Sequence, residues 1–342
     1  MAPNPGLTLI IDPELGKEGL GAGNRRHRIP VSGSGQKDIN MCAASSEPFS
    51  ASTAGAAPMK SANWVAADHA DGRLMVWLMN EGDAVQHVSA STGADLMADL
   101  AGLVGTLHGC APETPILLND DSLRGGTTGT IAVPAKVTEL PMGEAMLGTH
   151  PLRLLGGLSQ SAPVGVMRGA VNRIAGFLSL NPDWDGVICI AGVTTHWALI
   201  SAEEVVSFQS FLTPGLWRSL APGLGIEGGA EFQSAERTAL TAAMETIQSK
   251  PEALAARLAE LQVLRDGSDS ETSARLWGLL LGAELSAARP YWLGQNVALI
   301  AAAPLDVPYC LALNHQGVPV TRTDADRMAL AGLVRAWRGI TS

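Results

Sequence analysis

The chain has no run of eighteen or more uncharged apolar residues, so no segment reads as a membrane-spanning helix. Its four cysteines, Cys42, Cys110, Cys189 and Cys310, stand far apart, with no Cys-x-x-Cys and no Cys/His spacing suited to zinc. Cys189 and Cys310 lie in apolar runs and read as reduced, buried thiols. No Lys/Arg cluster offsets a formal charge of −10, which argues against a nucleic-acid partner. No secretory signal is evident, so the cytoplasm is the default location. What remains is an acidic chain of 342 residues, long enough for two domains with separate cores.

The chain is organised around Val187–Ile200 and Val205–Thr213. Apolar runs bounded by Gly and by charge predict a buried strand, a Gly192-Val193-Thr194-Thr195 loop, a second strand, a turn at Glu203-Glu204 and a third strand. The loop offers backbone N–H groups and two hydroxyls, which can hold a phosphate. The same threonines would also suit an ordinary hairpin through their β-propensity. Trp64–Val88 repeats the pattern about 120 residues earlier, with Asp68 falling on Ala191, Leu74 on Trp197 and Trp77 on Ile200. Two such units predict duplicated lobes whose loops face one another across a cleft. The expected division is residues 1–60 as an appended segment, 61–182 as the first lobe and 183–342 as the second.

Residues 1–60 are rich in Gly, Pro, Ser and Ala, carry a basic cluster at Asn24–Arg28 and lack core periodicity. A disordered or loosely attached segment is expected there, and Met59 is a candidate for the native start. Helical spacing predicts a helix over 93–108, with Leu96, Leu100, Leu103 and Leu107 on one face. A second begins at Arg168, with Val171, Ile174, Ala175 and Leu178 on one face. Pro115–Leu118 reads as a short buried strand, and Asn119–Thr130 as a polar, Gly-rich loop at the cleft. The second half is mainly helical, over 236–248, 251–264, 272–289, 305–315 and 324–337, with strands at 296–302 and 318–321. Ser270 or Thr272 is expected to cap the helix at 272–289. Gly278 and Gly282 inside it imply close approach by another backbone or by a ligand. A strand entering the small-residue turn after Ala302 is a common seat for an adenosine.

Several segments resemble the 2-dehydro-3-deoxygalactonokinases, sugar-acid kinases of the actin-like ATPase superfamily. The strongest is Ala274–Gly294, with its Gly-Ala-Glu and Trp-Leu-Gly elements, running on through Val297–Ile300. Phe208–Thr213, Val166–Gly169 and Gly317–Val320 follow the family's order. The resemblance covers about residues 62–338. It implies an α/β fold of two duplicated actin-like (ribonuclease H-like) lobes around a nucleotide cleft. It further implies ATP and Mg²⁺ as cofactors, and a 2-keto-3-deoxy sugar acid as substrate. No nucleic-acid or membrane partner is implied, and a homodimer is one assembly open to it.

The loops depart from the family's patterns. The first usually reads Asp-Trp-Gly-Thr-Thr/Ser-Asn-Leu-Arg and here is Asp68–Met75, keeping the Asp and the Leu. The second usually reads Pro-Gly-Thr-His-Ser-Lys-Trp and here is Ala191–Trp197, keeping Gly192 and Trp197. After Met167-Arg168-Gly169 the family carries an acidic pair suited to a general base, whereas Ala170–Arg173 contains no carboxylate. The resemblance assigns Asp68 to the metal and catalysis, and Gly72, Gly192, Thr194, Thr195 and Gly282 to the nucleotide. It assigns Arg124 and Arg168 to the substrate. Asp120 and Asp121 are the residues that could replace the base. The alternative is a pseudokinase that binds ligands without turnover.

Overall fold

The computed structural model describes residues 64–122, 128–226, 232–263 and 268–341. The appended segment expected over 1–60 and the expected substrate contact Arg124 lie outside the described residues.

The described residues open with β1 (Trp64–Ala70), β2 (Arg73–Asn80) and β3 (Asp83–Ser91), an antiparallel meander. α1 (Leu96–Thr106) follows, capped by Asp95, which accepts from the N–H groups of Met97 and Ala98. β4 (Ile116–Asp120) then pairs parallel to β1. A region of short strands comes next: β5 (Thr130–Ala132), β6 (Ala135–Lys136), β7 (Met142–Leu147), β8 (His150–Leu155), β9 (Gly157–Ser161) and β10 (Val164–Met167). β8 joins parallel to β4, which completes a sheet of order β3-β2-β1-β4-β8-β7. β5, β9 and β10 form a small separate sheet.

After α2 (Gly169–Leu180) the plan recurs. β11 (Gly186–Ala191), β12 (Thr195–Ser201) and β13 (Glu204–Phe211) form a meander. Helices α3 (Thr213–Leu220), α4 (Ser234–Ser249), α5 (Leu254–Glu260), α6 (Asp269–Ala287) and α7 (Arg289–Trp292) intervene. β14 (Val297–Ala301), α8 (Asp306–His315), β15 (Val320–Asp324) and α9 (Ala325–Thr341) finish the chain. The second sheet runs β15-β14-β11-β12-β13-β6. Stripped of the edge strands β6 and β7, both sheets have one topology: three antiparallel strands, then two parallel strands on the far side of the first. The duplication expected from the sequence is therefore present in the backbone.

The stretches Leu74–Met79 of β2 and Gly186–Ala191 of β11 are apolar throughout because both faces of each sheet are covered. α1 packs on one face of the first sheet through Leu100, Leu103 and Val104. α9 packs on the other, where Trp337 stacks on Trp64 with ring centroids 4.7 Å apart. α2 lies on the second sheet together with Met328 of α9, so both helices sit between the two sheets. This corrects the expectation of one apolar face on α2: every residue from Gly169 to Leu178 is buried. α6 is capped by Ser268, whose hydroxyl accepts from Glu271 N–H, rather than by Ser270 or Thr272.

The two meanders differ at their first turns. Ala70 pairs with Arg73, so Asp71 and Gly72 close β1 onto β2 as a two-residue turn, with φ +53° and +76°. Asp-Gly is suited to that conformation, the type I′ hairpin turn. In the second meander Ile190 pairs with His196, which leaves five residues between them. The residue-for-residue overlay of the two hairpins therefore fails, because the second loop is three residues longer.

Candidate active site

The two loops flank a cleft of about 500 Å³ lined by Asp68, Asp71, Asp121, Arg173, Gly192 and Thr194, with Ala302, Ala303, Asp324 and Asp326 at its second-sheet side. β1 delivers Asp68 at its end and β4 delivers Asn119 beside it, through the parallel pairing Asp68↔Asn119. Asn119 Nδ2 donates to Asp68 Oδ1 at 2.6 Å, and Arg173 Nη2 donates to Asp68 Oδ2 at 2.7 Å. Asp68 is 1% exposed and Arg173 6% exposed. Burial alone would lower the Arg173 pKa, but Asp68 and Asp121 outweigh it and hold the guanidinium above its ordinary value.

The adjacent carboxylates Asp120 and Asp121 have opposite environments. Asp120 accepts from His69 Nδ1 at 2.8 Å, from Ser122 N–H at 2.9 Å and from Ser122 Oγ at 2.6 Å. Burial opposes its ionisation, yet these donors hold the carboxyl below its usual range. The hydrogen bond that His69 donates to Asp120 raises the His69 pKa in turn, against its burial. Asp121 lines the cleft, and burial pushes it up to about 7, with Arg173 acting against the shift and Asp71, Asp68 and Asp120 adding to it. Its backbone N–H donates to His69 O at 3.0 Å. Gly169 permits its position, since a Cβ there would lie 2.7 Å from Asp121 Cβ. Asp121 thus stands against the start of α2, one residue from Ala170.

Other expected contacts lie elsewhere. Thr195 is fully buried and bonds Tyr309 OH at 2.5 Å rather than facing the cleft. Tyr309 OH donates to Glu284 Oε2 at 3.0 Å, so the Thr195 hydroxyl is the donor to Tyr309. Glu284 also accepts from Trp197 Nε1 at 2.8 Å, and burial pushes its carboxyl up to about 6. Gly282 sits where α6 crosses α4: a Cβ there would meet Met244 O at 2.8 Å. The close approach is by a backbone, and the nucleotide role expected of Gly282 has no support in its position. Arg168 Nη1 donates to Thr128 O at 3.0 Å and so secures the chain before β5 instead of lining the cleft. Gly72 occupies the exposed tip of the first turn. Gly192 and Thr194 do line the cleft.

Each oxygen of Asp68 accepts one short hydrogen bond and its charge is paired with Arg173, so a cation at Asp68 would compete with that guanidinium. Among the described residues no three His, Cys, Asp or Glu side chains are placed to hold a metal ion. Sequence reasoning did not single out Arg173. A charged residue inside the apolar periodicity of α2 was the available signal for Arg173.

A family profile described as 2-keto-3-deoxy-galactonokinase matches residues 126–336. The chain belongs to this family. The match begins beyond the first hairpin, so Asp68, Asp71 and Asp121 precede it. A crystal structure of a 2-dehydro-3-deoxygalactonokinase candidate from Sinorhizobium meliloti superimposes with TM-score 0.73 at 23% identity, covering 81% of this chain and 96% of that one. Component A of (R)-2-hydroxyglutaryl-CoA dehydratase from Acidaminococcus fermentans gives TM-score 0.47 at 9% identity, covering 82% and 99%. No curated protein sequence matches the chain. The fold is the two-lobed α/β architecture of sugar kinases, and the family is one of carbohydrate kinases acting on a sugar acid. Among the described residues no helix is long and apolar enough to cross a membrane.

Proposed function

We propose that the protein transfers the γ-phosphoryl group of ATP to a hydroxyl of a 2-keto-3-deoxy sugar acid, as a step in sugar-acid catabolism. The observation that carries this reading is Asp121, a cleft carboxylate raised to about 7 and seated against Gly169, the residue before Ala170. The family's acidic pair follows that glycine, and here a neighbouring strand end supplies the carboxylate instead. The ATP phosphates lie between the two loops, and the small residues Ala302 and Ala303 after β14 leave room for the nucleoside. Asp121 takes the proton of the acceptor hydroxyl as that oxygen bonds to the γ-phosphorus. The bond to the β–γ bridging oxygen breaks, and ADP leaves. A base titrating near the working pH suits this role, and such a base contributes about 10²- to 10⁴-fold. Transfer otherwise depends on positioning and charge, to which the backbone N–H groups of the second loop contribute. No step is assigned to Mg²⁺.

The Arg173–Asp68 pair favours a second reading, a pseudokinase that binds nucleotide or sugar acid without turnover, because the pair neutralises the carboxylate at the centre of the cleft. One assay separates the two. The full-length protein is incubated with ATP, Mg²⁺ and 2-keto-3-deoxygalactonate, and ADP release is followed in wild type and Asp121→Asn. Sugar-dependent release that drops at least about a hundredfold in the variant supports the kinase. Nucleotide binding with no release in either protein selects the pseudokinase.

A further inference from the structure

Asp71 stands in the turn between β1 and β2, and its carboxylate reaches across the cleft to the opposite loop. Val193 N–H donates to Asp71 Oδ1 at 2.5 Å, and Arg218 Nη2 lies 3.8 Å from the same oxygen. Gly192 makes the approach possible, since a Cβ there would sit 3.3 Å from both Asp71 carboxylate oxygens. α3 holds this side of the cleft in place: Gly215 N–H donates to Val193 O at 3.0 Å, and Arg218 follows on the same helix. A backbone N–H, a bare glycine and a guanidinium gathered on one carboxylate are also the groups that hold a phosphate.

We propose that Asp71 is a built-in anion occupying a phosphate site formed by Val193 N–H, Gly192 and Arg218, and that a ligand phosphate enters by displacing it. That the phosphate belongs to a nucleotide rests on the kinase reading above; the site itself rests on these contacts. Asp71 and Arg218 have side chains 38% and 45% exposed, so each has solvent into which it can swing. A phosphate arriving while Asp71 remains in place meets a like charge at hydrogen-bond range, which makes Asp71 a gate on anion entry. Arg218 changes partner rather than losing one: it pairs with Asp71 when the site is empty of ligand and with phosphate when it is filled.

The turn conformation provides a clean test, because Gly and Asn both accept positive φ beside Gly72. Inorganic tripolyphosphate is titrated by calorimetry into full-length wild type, Asp71→Gly and the double variant Asp71→Gly/Arg218→Gln. Exchange of the Val193 amide is followed in parallel. Asp71→Gly is expected to bind roughly tenfold tighter than wild type, the scale of one charge-assisted contact, and the double variant to lose most of that gain. The Val193 amide should exchange faster in Asp71→Gly and be protected again by tripolyphosphate. Asp71→Asn, which keeps a favoured turn, serves if the glycine loosens the hairpin. Equal affinity in wild type and Asp71→Gly overturns the proposal, as does a gain indifferent to Arg218. Failure of the kinase reading looks different: tripolyphosphate behaves as described, yet no protein releases ADP with the sugar acid.

Discussion

Arg173 Nη2 lies 2.7 Å from Asp68 Oδ2, and both groups are almost wholly buried between the two sheets. One partner comes from the end of β1 and the other from the first turns of α2, 105 positions later. The pair couples the strand that carries the first loop to the helix packed between the sheets. It also takes the carboxylate that a metal-bound phosphate would otherwise approach.

Breaking this pair should be costly. Arg173→Ala leaves Asp68 buried and unpaired, and a loss of about 3–5 kcal/mol is expected. Asp68→Asn in the same background should recover much of it, since the stranded charge is then gone. Chemical denaturation of the single and double variants measures both values.

The elevated pKa of Asp121 predicts a pH profile. Under the kinase reading the ionised form is the base, so the rate should rise with pH through about 7. Stability moves the other way. Folding raises this pKa, so the contribution is full below the unfolded carboxylate value near 3.8 and is lost as pH rises through about 7. Asp121→Asn should flatten both trends, as read from pH-dependent turnover and from urea midpoints across the same range.

Glu284 collects Trp197 Nε1, Tyr309 OH and Thr213 beneath the second loop. Glu284→Ala strands buried donors at about 1–3 kcal/mol each, so a lowered melting temperature is expected. Glu284→Gln keeps one acceptor oxygen and should be milder. Because folding raises the Glu284 pKa, wild-type stability should decline relative to Glu284→Gln as pH rises through about 6.

Gly282 offers a control on the site assignment. Gly282→Ala places a methyl group 2.8 Å from Met244 O and should destabilise the α4–α6 crossing despite alanine's better helix propensity. Nucleotide affinity of the folded protein should stay unchanged. A selective loss of affinity at unchanged stability would instead return Gly282 to the cleft.

The strands, most helices and the duplication were legible in the sequence, because they depend on local periodicity: Val187–Ile190 and Val76–Met79 declare themselves as buried strands without knowledge of their neighbours. The short strands β5 to β7 did not, being brief edge segments whose pairing comes from β8, β9 and β13. Site residues divided along the same line. Asp68, Asp121, Gly192 and Thr194, singled out from their places at strand ends and loops, line the cleft. Thr195 instead faces Tyr309 and Gly282 faces Met244, because local sequence does not say which way a side chain or a bare Cα faces. What the sequence by itself determined is two like sheets, each with a loop at the end of its first strand. Only the tertiary structure decided that Asp71 meets Val193, that Arg173 meets Asp68 and that adjacent Asp120 and Asp121 titrate in opposite directions. The physical reason is that hydrogen bonding and desolvation act over a few ångströms, between groups that the chain separates by as many as 122 positions.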